Sequence, residues 1–222
     1  MKSLLSFLSV AAVAGSLMVP ALPAGSSAGG AAAYAVTITN LTQAQIISPP
    51  LLVTHGPSAS LFRAGEPASP ELAELAENGD NGPLAQLLAG DAAVIDVLAA
   101  DEGLPPGTSA SFTVGSLGRR TRLSAAGMLV STNDAFFGLG GVELPASGSV
   151  TLDVPAYDAG SERNSEDCAY VPGPPCGAGA VHDPAPAEGF VHISNGLHGI
   201  GGIDPATYDW RNPVVRIQIT RL

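Results

Sequence analysis

Residues 34–42, YAVTITNLT, alternate apolar and polar and are rich in β-branched side chains. Successive side chains of a strand point to opposite faces, so this period predicts a half-buried strand at the start of a domain. In QIISPPLLVTHG (45–56) the apolar residues surround Pro49 and Pro50. Proline lacks the N–H that a central strand donates, so an extended edge segment is expected there. From Ser69 to Ala100 the period changes: Leu72, Leu75 and Ala76, then Leu84, Leu87 and Leu88, then Val94, Ile95 and Leu98 recur three and four apart. Ser69 before Pro70 supplies an N-cap with proline at the first helical position, and NGDNG (78–82) ends the first helix. Two or three short helices, an insertion over 69–100, are predicted. Strand signals return in GTSASFTVGS (107–116), RTRLSAAGMLVST (120–132), GSVTLDVPAY (148–157) and NPVVRIQITRL (212–222). Strands joined by Gly, Pro and Ser turns predict an all-β domain, an antiparallel β-sandwich with a small helical insertion. Residues 163–212, rich in Gly and Pro, read as long loops, which in a compact domain signal function or a crosslinked excursion.

Ahead of the first strand, MKSLLSFLSVAAVAGSLMVPALPAGSSAGGAAA places Lys2 before an apolar run and then small residues, the pattern of a secretory signal peptide over 1–33. Cleavage after Ala28 or after Ala33 satisfies the small-residue rule. The remainder, 34–222, is of a size for one domain. Lys2 is the only lysine, so eight arginines face all twenty acids in the remainder. Such a chain lacks the cations that supply most nucleic-acid affinity and is ill suited to anionic lipid; cations suit it as partners. Cys168 and Cys176, in a chain bound for an oxidising compartment, are expected to form a disulfide, closing CAYVPGPPC downstream of an acidic stretch.

Most motif-like strings carry little chemistry. GSSAG (25–29) has the form of a nucleophile elbow but sits in the leader. NGDNG places Ala89 where a calcium loop needs its terminal glutamate and reads as a turn. Asn40-Leu41-Thr42 is a glycosylation sequon by form. The best candidate is YDAGSE (157–162). Asp158 and Glu162 flank Gly160, which lets the chain turn sharply, so both carboxylates can converge at the end of the preceding strand. Converging carboxylates repel unless neutralised. A hard divalent cation does that, and calcium tolerates irregular loop sites; Arg163 is the alternative neutraliser, and a hydrated acidic turn the blander reading. Asp134, in STNDAFFG at the end of another strand, can reach the same point. A different class, an extracellular hydrolase using His192 or His198 with Asp204 or Asp209, stays open. Phe136 and Phe137 are either core aromatics or, if exposed, membrane-inserting.

At these residues the sequence resembles a known family. MLVSTNDAFFGLGGVELPASGSVTLDVPAYDAGSE resembles the core of the spondin N-terminal domain family, in which a strand ending in Ser-Pro-Asp-Trp-Phe is followed by one ending in Tyr-Asp-Ala-Gly-Thr-Asp. YAVTITNLT, THG (54–56), GEPASPELAELAENGD (65–80) and the final strand agree in order. The resemblance implies a secreted C2-like sandwich with calcium at one end, and relatives that act in the extracellular matrix and in adhesion. Asp158 falls on the first aspartate of the second motif, Glu162 on its second aspartate, and Asp134 on the aspartate of the tryptophan motif, so Asp134, Asp158 and Glu162 are the implied calcium ligands. Ala135 replaces the tryptophan and Asn133 the preceding proline, which puts the adhesive surface in question. CAYVPGPPCG and GFVHISNGLHGIGGIDPATYDWRNP look like features of the bacterial branch, and a single-module member is expected. The expected partner is an extracellular protein or glycan.

Overall fold

The computed structural model describes residues 30–118 and 120–222; most of the expected leader, and the GSSAG string within it, lies outside them. The first strand, β1, runs Ala31–Asn40. Ala31, Ala32 and Ala33 pair with Leu117, Ser116 and Gly115. A cut after Ala28 therefore keeps the whole strand, whereas a cut after Ala33 removes three paired residues.

In chain order there follow β2 (Leu51–His55), α1 (Pro70–Asn78), α2 (Gly82–Ala89), β3 (Val94–Ala99), β4 (Ser109–Leu117), β5 (Arg122–Met128), β6 (Ala135–Glu143), β7 (Ser149–Val154), β8 (Ala156–Asp158), β9 (His192–Ile193), α3 (Pro205–Tyr208) and β10 (Val215–Arg221). Among the described residues they form two antiparallel sheets, ordered β4-β1-β10-β7 and β3-β2-β5-β6-β8-β9. The expected sandwich is present.

The alternation in β1 does what its period predicts. Val36 and Ile38 are buried and pair in register with Ile219 and Ile217 of β10, while Thr37 and Thr39 face out, each hydroxyl bonded to that of Ser111 or Ser109 on β4. Against this inner face the second sheet packs Leu52, Leu123 and Phe137. A second apolar cluster lies on the opposite face of the six-stranded sheet, where Leu51, Val53 and Phe136 meet Leu72, Leu75, Leu84 and Leu88 of the helices.

Three elements differ from expectation. β2 is not an edge: it lies between β3 and β5, and all five residues are buried because the helices cover one face and the other sheet covers the second. Pro49 and Pro50 sit just outside it, so no ladder donor is lost. Residues 94–99 are a strand, not a helix, with Leu98 and Val97 paired to Leu52 and Val53. β3 is the half-buried edge of its sheet, and its β-branched Val94, Ile95 and Val97 favour a strand. β6 fills 135–143, a stretch whose three glycines hide its period. α1 is as predicted: the Ser69 side chain accepts from Leu72 N at 3.2 Å, and Gly79 closes the helix in the left-handed region, φ 72°.

The long segment 163–212 is pinned at several points. Cys168 and Cys176 are bonded, as expected. Gly173 N donates to Val130 O at 2.7 Å. The buried Glu166 carboxylate accepts from the backbone N–H groups of His198, Gly199 and Ile200.

Candidate metal centre

Three neighbouring strands of the six-stranded sheet bring the site together at one end of the sandwich. Ala135, at the start of β6, pairs with Asp158 at the end of β8, and Asp158 pairs in turn with His192 of β9. Asp134 immediately precedes β6, and its carbonyl accepts from Ala159 N at 3.1 Å.

The turn after Asp158 is built around Gly160, which holds φ 63° and leaves no space for a Cβ against the Phe190 backbone. Its N–H donates to Asp158 Oδ1 at 2.8 Å. The next two amides, of Ser161 and Glu162, both donate to Asp134 Oδ2, at 2.8 and 3.0 Å. That cradle holds one oxygen of Asp134. The other, Oδ1, is buried with no hydrogen-bond partner, in a residue wholly out of solvent.

Burial raises the Asp134 carboxyl well above its ordinary range, and the adjacent Asp158 charge raises it further, against the lowering effect of the two amides. Burial likewise raises Asp158, opposed by its bonds from Asn164 and Gly160 and by His192. Asn164 Nδ2 donates to Asp158 Oδ2 at 2.7 Å and to Glu188 Oε1 at 3.3 Å, which brings a third carboxylate into the group. One ligand atom each from Asp158, Glu188 and His192 lies within 4.8 Å of the others.

Of the expected ligands, Asp134 and Asp158 are neighbours, whereas Glu162 supplies its backbone N–H but turns its carboxylate elsewhere. The Glu162 Oε1 accepts from Asp183 N at 2.5 Å. Its carboxylate groups with Glu77 and His182, whose Nδ1 stands 2.7 Å from Glu77 Oε2. Burial, with the Glu77 charge nearby, pushes the Glu162 carboxyl up to about 7 despite the Asp183 amide. Arg163, the alternative neutraliser, pairs instead with Asp183 at 3.3 Å.

Of the remaining candidates only His192 lies with Asp158 and Glu188. Asp204 caps α3, and Asp209 accepts from Leu197 N and pairs with Arg211. His192 faces Asp158, and His198 stands 3.8 Å from Glu166. His198 and Asp209 do line a common cavity of about 360 Å³. Phe136 and Phe137 are fully buried and do not offer a membrane-inserting tip. Asn40 is also buried, its amide bonded to the carbonyls of Gln45 and Leu104, so the folded chain does not present the sequon. In the NGDNG turn, Asp80 accepts from Gly82 N.

The Spondin_N family profile matches residues 42–169. The chain belongs to the Spondin_N family. The match spans Asp134, Asp158 and Glu162, and ends before Glu188 and His192. Ala135, which the resemblance sets against the family's tryptophan, is buried in the core cluster. No curated protein matches the chain closely enough to name a relative. A Spondin_N domain and a disulfide together indicate an extracellular or secreted module. No helix among the described residues is long and apolar enough to cross a membrane.

The donors suit a divalent cation. A buried carboxylate oxygen with no donor, beside a second buried carboxylate, is an uncompensated arrangement that a cation corrects.

Proposed function

We propose that this Spondin_N chain is a secreted calcium-binding module that engages an extracellular protein or glycan. The observation that carries the reading is the buried pair Asp134 and Asp158, one oxygen of which, Asp134 Oδ1, has no partner. Asp134 and Asp158 would hold the ion, with the amides of Ser161 and Glu162 fixing Asp134 so that its free oxygen stays presented. A bound cation supplies positive charge where two acids meet, in a loop setting that calcium accommodates. Glu162 acts here through its N–H.

Support for a binding role comes from what surrounds the acids. Phe190, two residues ahead of His192, and Ile193, within β9, are 44% and 49% exposed and offer a partner apolar contact beside the acids. A cation bridging β6 and β8 would stiffen that surface and set the partner's landing site, so engagement is expected to depend on calcium.

The test is calorimetric titration of calcium into chelator-treated protein. A single site, abolished in Asp158→Ala and retained in Glu162→Gln, supports the reading. Heat absent from the wild type, or undiminished in Asp158→Ala, removes it.

A further inference from the structure

Two buried atoms, one oxygen and one nitrogen, stand without partners at the same end of the sandwich: Asp134 Oδ1 and His192 Nε2. The imidazole is fixed by its other nitrogen, since Nδ1 lies 3.0 Å from the carbonyl of Ile193 and can only donate to it. That bond fixes the ring and turns Nε2 inward, the orientation a metal-binding histidine takes when a backbone carbonyl holds it. Nε2 is 3.3 Å from Asp158 Oδ1 but forms no hydrogen bond with it.

We propose that His192 and Glu188 complete the cation centre of Asp134 and Asp158, making it a mixed nitrogen and oxygen site that takes zinc in competition with calcium. The inference rests on the reading of Asp134 and Asp158 as a cation centre. Asp158, Glu188 and His192 each offer an atom within 4.8 Å of the others, and Asp134 adds an oxygen that nothing else claims. Zinc bonds to imidazole nitrogen and carboxylate oxygen at about 2.0–2.2 Å, so Asp158, Glu188 and His192 would draw in around the ion. Glu188 is exposed and tethered by one amide contact, which leaves it free to do so. Imidazole favours zinc and other transition cations, whereas calcium is held by oxygens alone.

β9 has only two residues, and its pairing opposite Asp158 serves chiefly to deliver this ring. The second cluster, Glu77, Glu162 and His182, is a useful contrast. Its imidazole already pairs with Glu77, Glu162 already accepts from Asp183 N, and none of its buried side-chain atoms stands without a partner.

The experiment is calorimetric titration of zinc and of calcium, separately and in competition, into the full chain freed of metal by chelation. The expected result is one zinc per chain, displaced by excess calcium. His192→Ala should weaken zinc by more than the roughly ten- to hundredfold that loss of a group merely orienting a ligand costs, and shift calcium affinity by no more than about threefold. Glu188→Gln, an exposed substitution that leaves the fold alone, should weaken zinc several-fold, and His182→Ala should leave it unchanged. Unaltered zinc affinity in His192→Ala, loss of zinc in His182→Ala, or simultaneous binding of zinc and calcium overturns the proposal. Calcium binding without zinc binding overturns it while sparing the calcium reading. Failure of the wild type to bind either ion overturns both.

Discussion

Replacing Asp134 by Asn separates a metal site from a merely structural acid, because the two readings predict opposite signs. In metal-free protein Asp134 is wholly buried, one oxygen accepts two amides and the other accepts nothing, and the Asp158 charge lies alongside. Asparagine keeps an oxygen for the amides of Ser161 and Glu162, turns an NH₂ toward Asp158 and Glu188, which can accept from it, and carries no ionisable group where burial and Asp158 disfavour a charge. An unsatisfied buried polar atom costs about 1–3 kcal/mol, so Asp134→Asn should stabilise the chelated protein by about that amount. With calcium at a hundred times its dissociation constant, the wild type should gain about 2.7 kcal/mol, and the variant should gain little. For a domain of this size, 1 kcal/mol moves the melting temperature by about 2–4 °C. Thermal melts should therefore show the wild type rising by about 5–10 °C with calcium, and Asp134→Asn starting a few degrees higher in chelator and staying there. A variant that melts below the wild type in chelator, or that responds to calcium as the wild type does, refutes the reasoning.

Other perturbations test the surroundings. Glu162 titrates at about 7 in the fold against an ordinary 4.5, so its contribution to the metal-free protein is fully present below pH 4.5 and is lost as pH rises through 7. The loss is at most about 3 kcal/mol, and less where solvent screens the group; urea unfolding in chelator at pH 5 and pH 8 should show a smaller difference for Glu162→Gln, and an equal one sinks the assignment. Gly160→Ala forces a Cβ onto a backbone at φ 63° and into Phe190; a cost of about 1–3 kcal/mol is expected with weakened calcium binding, and wild-type behaviour in both would show the turn to be unimportant. Glu166→Ala leaves the amides of His198, Gly199 and Ile200 unpaired, so hydrogen exchange should accelerate there and not in β1 or β10; uniform acceleration would mean that Glu166 supports the whole fold. Cys168 and Cys176 are eight residues apart, and a 15-residue loop is stabilised by about 3 kcal/mol, so Cys168→Ala with Cys176→Ala should cost less than that by chemical unfolding.

The sandwich was legible wherever one face of a strand meets core and the other solvent, as in β1 and β10, because alternation is then imposed by burial. It was illegible where both faces are covered. β2 reads as a continuous apolar run since Leu52 enters one core and Leu51 and Val53 the other, and β3 follows it because cross-strand pairing with β2 outweighs local spacing. β6 was hidden for another reason. A Cβ on Gly138 would lie within 3 Å of the Phe62 ring and of Tyr157, so glycine is the residue that lets Phe62, Phe136 and Tyr157 pack together. Sequence shows the glycine but not the rings that require it.

The acids of YDAGSERNSEDC were visible as a cluster, and a charge count alone makes them one repelling group. The fold divides them. Glu162 leaves toward Asp183, Glu166 is taken up by three loop amides, and Asp167 accepts from Ala169 N in a turn. Each of those carboxylates is matched to backbone N–H groups, which lowers its demand for a counter-ion. Asp158 alone is left facing another buried acid, and that acid, Asp134, comes from a different motif. Asp134 and Asp158 could be paired from sequence because each ends or precedes a segment with strand period. His192 and Glu188 could not, because a two-residue strand has no period to read and its pairing partner is fixed only by the pinned course of residues 163–212. The acidic turn thus contributes Asp158 itself and the amides that hold Asp134 beside it, and these two buried acids, from two motifs, are the pair that the proposed cation would bridge.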